Sequence, residues 1–167
     1  MKPIKIVFIF ILALTLTTIE AQEKKVQKAV CEISPLGGGN VTGTVTFTEV
    51  KDGLKIVADI QGLTKGKHGF HIHEGTDCSK PGGHFNPVSM NHGAPPDMMR
   101  HVGDMGNLEA NAAGKAHYEY VDNMISFKGE NSIVGRVLII HAHDDDLISQ
   151  PSGNAGPMIA CGKIEMK

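Results

Sequence analysis

The chain has 167 residues and a formal net charge of -2. This length suits one domain, and the near balance of charge excludes a strongly basic nucleic-acid-binding protein and an acidic disordered chain. The sequence contains no Trp, 5% aromatic residues and 20 Gly, a composition that predicts many turns and a core of aliphatic side chains.

The first 21 residues are typical of a secretory signal peptide. Two lysines precede an apolar run from Ile6 to Leu16, and threonines follow before a cleavage position expected after Ala21. The alternative is a membrane anchor, but such a run is short beside the roughly 20 residues that a membrane-spanning helix needs. We therefore expect a mature domain at residues 22–167, exported to a periplasm or the extracellular space, without stable membrane insertion after cleavage.

The rest of the chain alternates between apolar and polar residues, which predicts about eight strands and no helix. In chain order, the predicted strands or extended segments are 26–34, 41–48, 54–60, the segment HGFHIHE, one starting at 108, 116–120, a short segment at 124–127, 134–141 and 158–166. Turns recur about every 8 to 12 residues, a spacing typical of a β-sandwich or β-barrel.

Histidines are concentrated in one stretch, and six of the nine lie there together with an aspartate: His68, His71, His73, His84, His92, His101 and Asp104. His71 and His73 are two apart on a predicted strand, so both imidazoles face the same side. A long Gly- and Pro-rich connection, which needs a reason to stay ordered, contains His84, His92, His101 and Asp104. Imidazole and carboxylate groups are ligands for zinc and copper(II). The stretch therefore predicts at least one metal site, and the alternative is a nonspecific His-rich tract.

These motifs, with GGHFNP, NHG, RHVGDMGN, GRVLIIHAHDDDL and GNAGPMIACG, resemble the copper/zinc superoxide dismutase family in order from about Ala29 to the C-terminus. The resemblance implies an all-β fold, an eight-stranded Greek-key barrel of the immunoglobulin-like sandwich type with a long metal-binding loop. It implies an enzyme that converts superoxide to oxygen and hydrogen peroxide by a copper redox cycle, with zinc in a structural role. The implied cofactors are copper and zinc, the implied partner is superoxide, and the usual assembly is a homodimer.

The resemblance also assigns site residues. The implied copper ligands are His71, His73, His84 and His141. The implied zinc ligands are His84, His92, His101 and Asp104, so His84 bridges both ions and acts as the catalytic proton carrier. Asp145 would link His71 to His92, His68 would pack beneath the copper ligands, and Cys78 would form a disulfide with Cys161. For Asp145 the alternative is a solvated acidic turn.

The remaining candidate residues have simpler interpretations. Three cysteines fit an oxidising compartment. We expect Cys31 to be a buried free thiol, with a redox or intermolecular role as the alternative. His117 and His143 are expected to be solvated.

One position departs from the family pattern. An arginine normally stands three residues before the final cysteine, and this chain has Met158 there. The preceding segment 147–153 (LISQPSG) is short and uncharged. Because a cation can raise association rates of anions by roughly 10 to 10³, we expect a slower enzyme with a weaker salt dependence. Two alternatives stay open: the Met158 thioether contacts reduced copper, or the chain is a non-enzymatic copper/zinc-binding protein.

Overall fold

The computed structural model describes residues 26–167, so the predicted signal peptide lies outside the described residues. Eight strands form the fold: β1 (Lys28–Pro35), β2 (Thr42–Val50), β3 (Gly53–Gln61), β4 (Gly66–His73), β5 (Asp104–Ala110), β6 (Ala116–Asp122), β7 (Val137–His141) and β8 (Met158–Met166). Within this part of the chain, no helix is long and apolar enough to cross a membrane.

All neighbouring strands are antiparallel, in the order β5-β4-β7-β8-β1-β2-β3-β6. β3 pairs with β6 and β4 pairs with β7, so each pair joins strands three apart in the chain. The two ends of the sheet approach each other, and the hydroxyl of Tyr118 on β6 donates a hydrogen bond of 3.1 Å to the carbonyl of Met105 on β5. The result is a nearly closed β-barrel, which confirms the predicted fold class.

The two faces of β7 explain where the metal-binding residues lie. Leu138 and Ile140 point into the barrel core, whereas Val137 and Ile139 lie on the outer face and pack with Cys161. His141 continues this outer face, because side chains alternate along a strand. On β4, in the same way, the core residues Phe70 and Ile72 alternate with histidines. Neighbouring strands therefore carry histidines on the outer face of the barrel, beneath the long connections.

One predicted segment and two predicted boundaries differ from the structure. The short segment 124–127 contains only an isolated β-bridge, between Ser126 and Ser132, because the Asp122 carboxylate accepts hydrogen bonds from the backbone N–H groups of Met124 (2.8 Å) and Ile125 (3.2 Å) and turns the chain. β7 begins at Val137 rather than at residue 134, since Gly135 has a φ of 80° and breaks the extended run. β5 begins four residues earlier than expected, at Asp104, where it pairs with β4.

Candidate metal centre

A first group of histidines, which we name the four-histidine cluster, consists of His71, His73, His84 and His141. β4 supplies two of them, β7 supplies the third, and His84 comes from the connection between β4 and β5. All four are buried, and one ring nitrogen from each lies within 4.8 Å of the others. His84 is brought in by an isolated β-bridge to His73.

Hydrogen bonds identify which nitrogen of each ring is free. The other nitrogen already has a partner: His71 Nε2 lies 2.8 Å from Asp145 Oδ2, His73 Nδ1 lies 2.9 Å from Gly82 O, and His141 Nδ1 lies 3.0 Å from Gly156 O. Carbonyl and ionised carboxylate oxygens only accept, so these nitrogens carry the protons.

The opposite nitrogens then present bare lone pairs to one another, and none of them has a hydrogen-bond partner: His71 Nδ1, His73 Nε2, His84 Nε2 and His141 Nε2. Buried polar atoms are rarely left without a partner. Four converging nitrogen lone pairs form a donor set for copper or zinc, and the four-histidine cluster therefore fits a metal ion.

A second group, the aspartate cluster, consists of His84, His92, His101 and Asp104. Asp104 Oδ1 lies 2.7, 3.0 and 3.2 Å from the Nδ1 atoms of the three histidines, in that order. A tetrahedral zinc site with metal–ligand distances of about 2.0 Å has edges of roughly 3.3 Å. The aspartate cluster thus has the donor set and nearly the size of such a site.

The two clusters share one ring. His84 directs Nδ1 toward Asp104, whereas its Nε2 belongs to the four-histidine cluster and has no hydrogen-bond partner. The ring is buried, and its centroid lies 4.0 Å from that of His71. A single imidazole therefore offers one nitrogen to each of two adjacent sites.

Asp145 links a histidine of the four-histidine cluster to a histidine of the aspartate cluster. Its Oδ2 accepts from His71 Nε2 at 2.8 Å, and its Oδ1 accepts from His92 Nε2 at 2.9 Å. Asn107 holds the backbone of Asp145 by two hydrogen bonds of 2.8 and 2.9 Å. Asp145 is buried, whereas its neighbours at 144 and 146 are exposed. Such carboxylates orient metal-binding imidazoles and fix their tautomers.

Burial and charge set the protonation states. Burial lowers the pKa of His71 to about 3 and of His73 to about 4, and it also lowers the pKa of His141. These three rings are neutral at physiological pH, the form that binds metals. Burial also lowers the pKa of His92, but hydrogen bonds to Asp104 and Asp145 outweigh this effect and raise the pKa to about 9.

The pKa values of both carboxyl groups are lowered. Burial acts in the opposite direction, but hydrogen bonds from surrounding histidines hold the pKa values of Asp104 and Asp145 well below their usual range. Both groups are therefore ionised at physiological pH. Asp104 in the aspartate cluster and the neighbouring Asp145 carry the negative charge that a divalent cation would neutralise.

A cavity of about 530 Å³ leads to the four-histidine cluster. Its lining includes three of the cluster's histidines and, at its rim, Pro151, Ser152 and Met158. Met158 is paired with His141 across β7 and β8 and packs against the cluster formed by Val137, Ile139 and Cys161. The described residues that line the cavity include no Lys or Arg. They include one acidic residue, Glu74.

Both arginines of the chain are engaged elsewhere. Arg100 is fully buried, and its guanidinium donates to Asp122 at 2.6 Å. Arg136 stacks on Phe85, with 3.5 Å between the guanidinium carbon and the ring centroid. Neither arginine lines the cavity, so neither replaces the cation expected at position 158.

The other histidines named from the sequence lie apart from the two clusters. His68 is buried, with Nδ1 2.8 Å from the carbonyl oxygen of His141. His117 and His143 are exposed, and His117 Nδ1 lies 2.7 Å from Asp59.

The structure contains the disulfide between Cys78 and Cys161, which ties the metal-binding connection to β8. Cys31 is a buried free thiol. Burial, with Glu32 and Glu165 nearby, raises its pKa to about 12, so the thiol stays protonated and unreactive.

Sequence analysis missed several residues that support the site. Gln150 hydrogen-bonds to the backbone of His92, and Asn107 holds Asp145. Gly153 lies where a Cβ would come 2.6 Å from the Asp145 carboxyl carbon and 2.7 Å from His92 Nε2. Asn107 lies within the motif RHVGDMGN, which is a signal that could have identified it. Gly153 is the first residue of the motif GNAGPMIACG, which is a second such signal, whereas no motif includes Gln150.

Comparison with known proteins agrees with this geometry. Residues 41–164 match the family model for copper/zinc superoxide dismutase. The chain is also 45% identical over 139 residues to an extracellular Cu-Zn superoxide dismutase of Brugia pahangi, a match that covers 75% of this chain and 70% of the relative. Because the matched segment covers seven of the eight strands, from β2 through most of β8, this chain belongs to the copper/zinc superoxide dismutase family.

Proposed function

We propose that this chain catalyses the dismutation of superoxide to oxygen and hydrogen peroxide, at a rate reduced by Met158. The observation that carries the proposal is the sharing of His84 between two buried clusters, each with the donor set of a metal ion. The activity in the name of the Brugia pahangi relative supports the same reaction.

The ligand assignment follows the two clusters. Copper would be held by the four-histidine cluster, through the nitrogens that have no hydrogen-bond partner. Zinc would be held by the aspartate cluster, whose carboxylate and three Nδ1 atoms suit a closed tetrahedral site. When bound, copper supplies one-electron transfer by alternating between two oxidation states, and zinc supplies structure without redox chemistry.

His84 is the residue proposed to move a proton. With both ions bound, its ring would contribute Nδ1 to the aspartate cluster and Nε2 to the four-histidine cluster. Its Nε2, which has no hydrogen-bond partner, would be the atom that takes up a proton from solvent and delivers it to the reduced substrate. Asp104 and the aspartate cluster keep the Nδ1 side in place during this exchange.

The charge of the cavity argues for the reduced rate. Superoxide is a small anion, and the described cavity lining offers it no Lys or Arg. The family arginine position is a thioether, and both arginines of the chain are held in other contacts. Without a cation near the entrance, the anion loses the acceleration of roughly 10 to 10³ that steering provides. The neutral His71, His73 and His141 do not replace this charge.

The test is superoxide dismutation by the purified protein, loaded with copper and zinc and assayed at low and high ionic strength. We expect copper-dependent turnover below the diffusional ceiling of about 10⁹ M⁻¹s⁻¹, with little response to salt. The second candidate function is non-enzymatic metal binding, which Met158 at the family's arginine position favours. Stoichiometric copper binding without turnover above that of the buffer would favour this alternative and overturn the proposed enzyme.

Export and assembly are also proposals. We propose that residues 1–21 are a cleaved signal, that the mature chain is 22–167, and that it works outside the cytosol as a homodimer. The extracellular relative and the Cys78–Cys161 disulfide support export. N-terminal sequencing of the secreted protein and sedimentation velocity of the purified protein test cleavage and dimerisation. Periplasmic and extracellular locations are separated by fractionation of expressing cells.

A further inference from the structure

The side chain of Gln150 holds the backbone of a metal-cluster histidine by two hydrogen bonds. The N–H of His92 donates to Gln150 Oε1 at 2.8 Å, and Gln150 Nε2 donates to the carbonyl of His92 at 3.0 Å. One amide thus satisfies both backbone polar groups of His92, as a neighbouring strand would. His92 itself lies outside every strand.

The segment that presents Gln150 is internally ordered. Asp146 Oδ1 accepts from the backbone N–H groups of Ile148 at 3.0 Å and Ser149 at 2.8 Å. The N–H of Gly153 donates to the carbonyl of Ser149 at 2.7 Å. These bonds fix the turn from which the Gln150 side chain reaches the connection between β4 and β5.

The connection between β7 and β8 also holds the ring of His92. Asp145 Oδ1 accepts from His92 Nε2 at 2.9 Å, so the ring and the backbone of His92 are both fixed from the connection between β7 and β8. Nδ1 is left directed at Asp104 Oδ1, 3.0 Å away. Ring orientation and backbone position together decide where this nitrogen lies.

We propose that Gln150 is a positioning residue for zinc, acting through the backbone of His92; this inference rests on the zinc assignment of the proposed function. Residues around His92 form no ladder with a strand, so ordering them on metal binding costs conformational entropy. Hydrogen bonds that order them beforehand raise affinity by removing that cost. The segment 147–153 contains no cation that could attract the anionic substrate. Through Gln150, it thereby stabilises the aspartate cluster instead.

The test compares zinc affinity in Gln150→Met and in the unchanged protein, by competition with a chromophoric chelator. Methionine keeps the length of the side chain and removes both polar atoms. Loss of outer-shell partners of a metal ligand typically lowers affinity by about 10- to 100-fold. Because residue 150 is itself exposed, we expect a value near tenfold. Gln150→Ala provides a second variant if the methionine packs poorly.

Asn154→Gly is the matched control. Asn154 lies in the same connection between β7 and β8, with a φ of 53° that glycine tolerates. Its amide donates to Asp146 Oδ2, whereas the turn that presents Gln150 uses Asp146 Oδ1. We expect its zinc affinity to stay within about twofold of the unchanged protein. Copper affinity of the four-histidine cluster should be unchanged in all variants, and the visible spectrum of cobalt at the zinc position should shift only in the Gln150 variants.

Two results would overturn the inference: zinc affinity retained in both Gln150 variants, or an equal loss in Asn154→Gly. Both are binding measurements on variants. Failure of the proposed function would instead appear as absent turnover in the unchanged, metal-loaded protein, so the two failures are distinguishable.

Discussion

His141 at the end of β7 is paired with Met158 at the start of β8. The residue at the family's arginine position therefore lies directly across from a histidine of the four-histidine cluster, at the rim of the cavity that leads to it. Cross-strand partners have Cβ atoms about 5 Å apart. A side chain at position 158 is close enough to influence an anion that approaches the cluster.

Met158→Arg is expected to raise the rate of superoxide dismutation. A cation at this position attracts the anionic substrate, and the gain lies within the range of roughly 10- to 10³-fold. The gain should be largest at low ionic strength, because salt screens the attraction. Stopped-flow decay of superoxide at several salt concentrations measures both effects. Met158→Leu keeps an apolar side chain and should leave the rate unchanged; an unchanged rate in Met158→Arg would refute the steering argument.

Gly153→Ala is expected to weaken zinc binding. Gly153 has a φ of 63°, and an added Cβ would meet the Asp145 carboxyl group and His92 Nε2. The link between Asp145 and His92 must then shift, so we expect zinc affinity to fall by about 10- to 100-fold. Chelator competition measures the change.

Gly129→Ala separates this clash from backbone strain. Gly129 has a similar φ of 73°, but a Cβ there meets no atom within 4 Å. The left-handed conformation costs a non-glycine residue about 1–2 kcal/mol of stability. Zinc affinity in Gly129→Ala should nevertheless stay unchanged. Equal losses of zinc affinity in the two variants would contradict the proposed clash with Asp145.

Removal of the disulfide is expected to lower the free energy of unfolding of the metal-free protein. The bond between Cys78 and Cys161 spans 83 positions, and loop-closure entropy for such a span corresponds to about 4.5 kcal/mol. Urea unfolding of the double variant Cys78→Ala, Cys161→Ala measures the loss. Cys31→Ala removes a buried thiol and keeps the cross-link, so its loss should be smaller. A double variant as stable as Cys31→Ala would show that the cross-link contributes little.

The metal-free protein should titrate unevenly across its histidines. His92 has a pKa raised to about 9, so its ring should remain protonated at pH 8, whereas His71 and His73 should stay neutral down to about pH 4. Nitrogen-detected NMR of the imidazoles distinguishes these forms. A neutral His92 ring at pH 7 would contradict the ion-pair arrangement.

The same pKa shift predicts how stability depends on pH. The folded pKa of His92 lies above the value of 6.5 for an ordinary histidine. Its contribution to stability is therefore fully present below about pH 6.5 and is lost as the pH rises through about 9. Urea unfolding of the metal-free protein between pH 6 and pH 10 should show this decline, and His92→Asn should reduce it. A decline of equal size in the variant would assign it to another group.

Much of the fold followed from the sequence, because apolar alternation along a strand determines which side chains are buried. The alternation in β2 and β3 and the motif HGFHIHE predicted strands and placed His71 and His73 on one face. The same reasoning failed at residues 124–127, where hydrogen bonds to the Asp122 side chain replaced a strand ladder. A local pattern of apolar and polar residues does not reveal where a side chain competes for the hydrogen bonds of the backbone.

The sequence by itself determined which side chains are available as metal donors, since the types and order of its histidines and Asp104 resemble those of one family of metal sites. Only the tertiary structure decided how those donors converge: the pairing of β4 with β7 brings His141 to His71 and His73, although they are some 70 residues apart in the chain. It also placed Gln150 within hydrogen-bond distance of the His92 backbone and Gly153 where an added Cβ would meet the His92 ring, although both residues are about 60 positions from His92 in the chain. Contacts between distant segments depend on strand order and loop path, and no local periodicity encodes them.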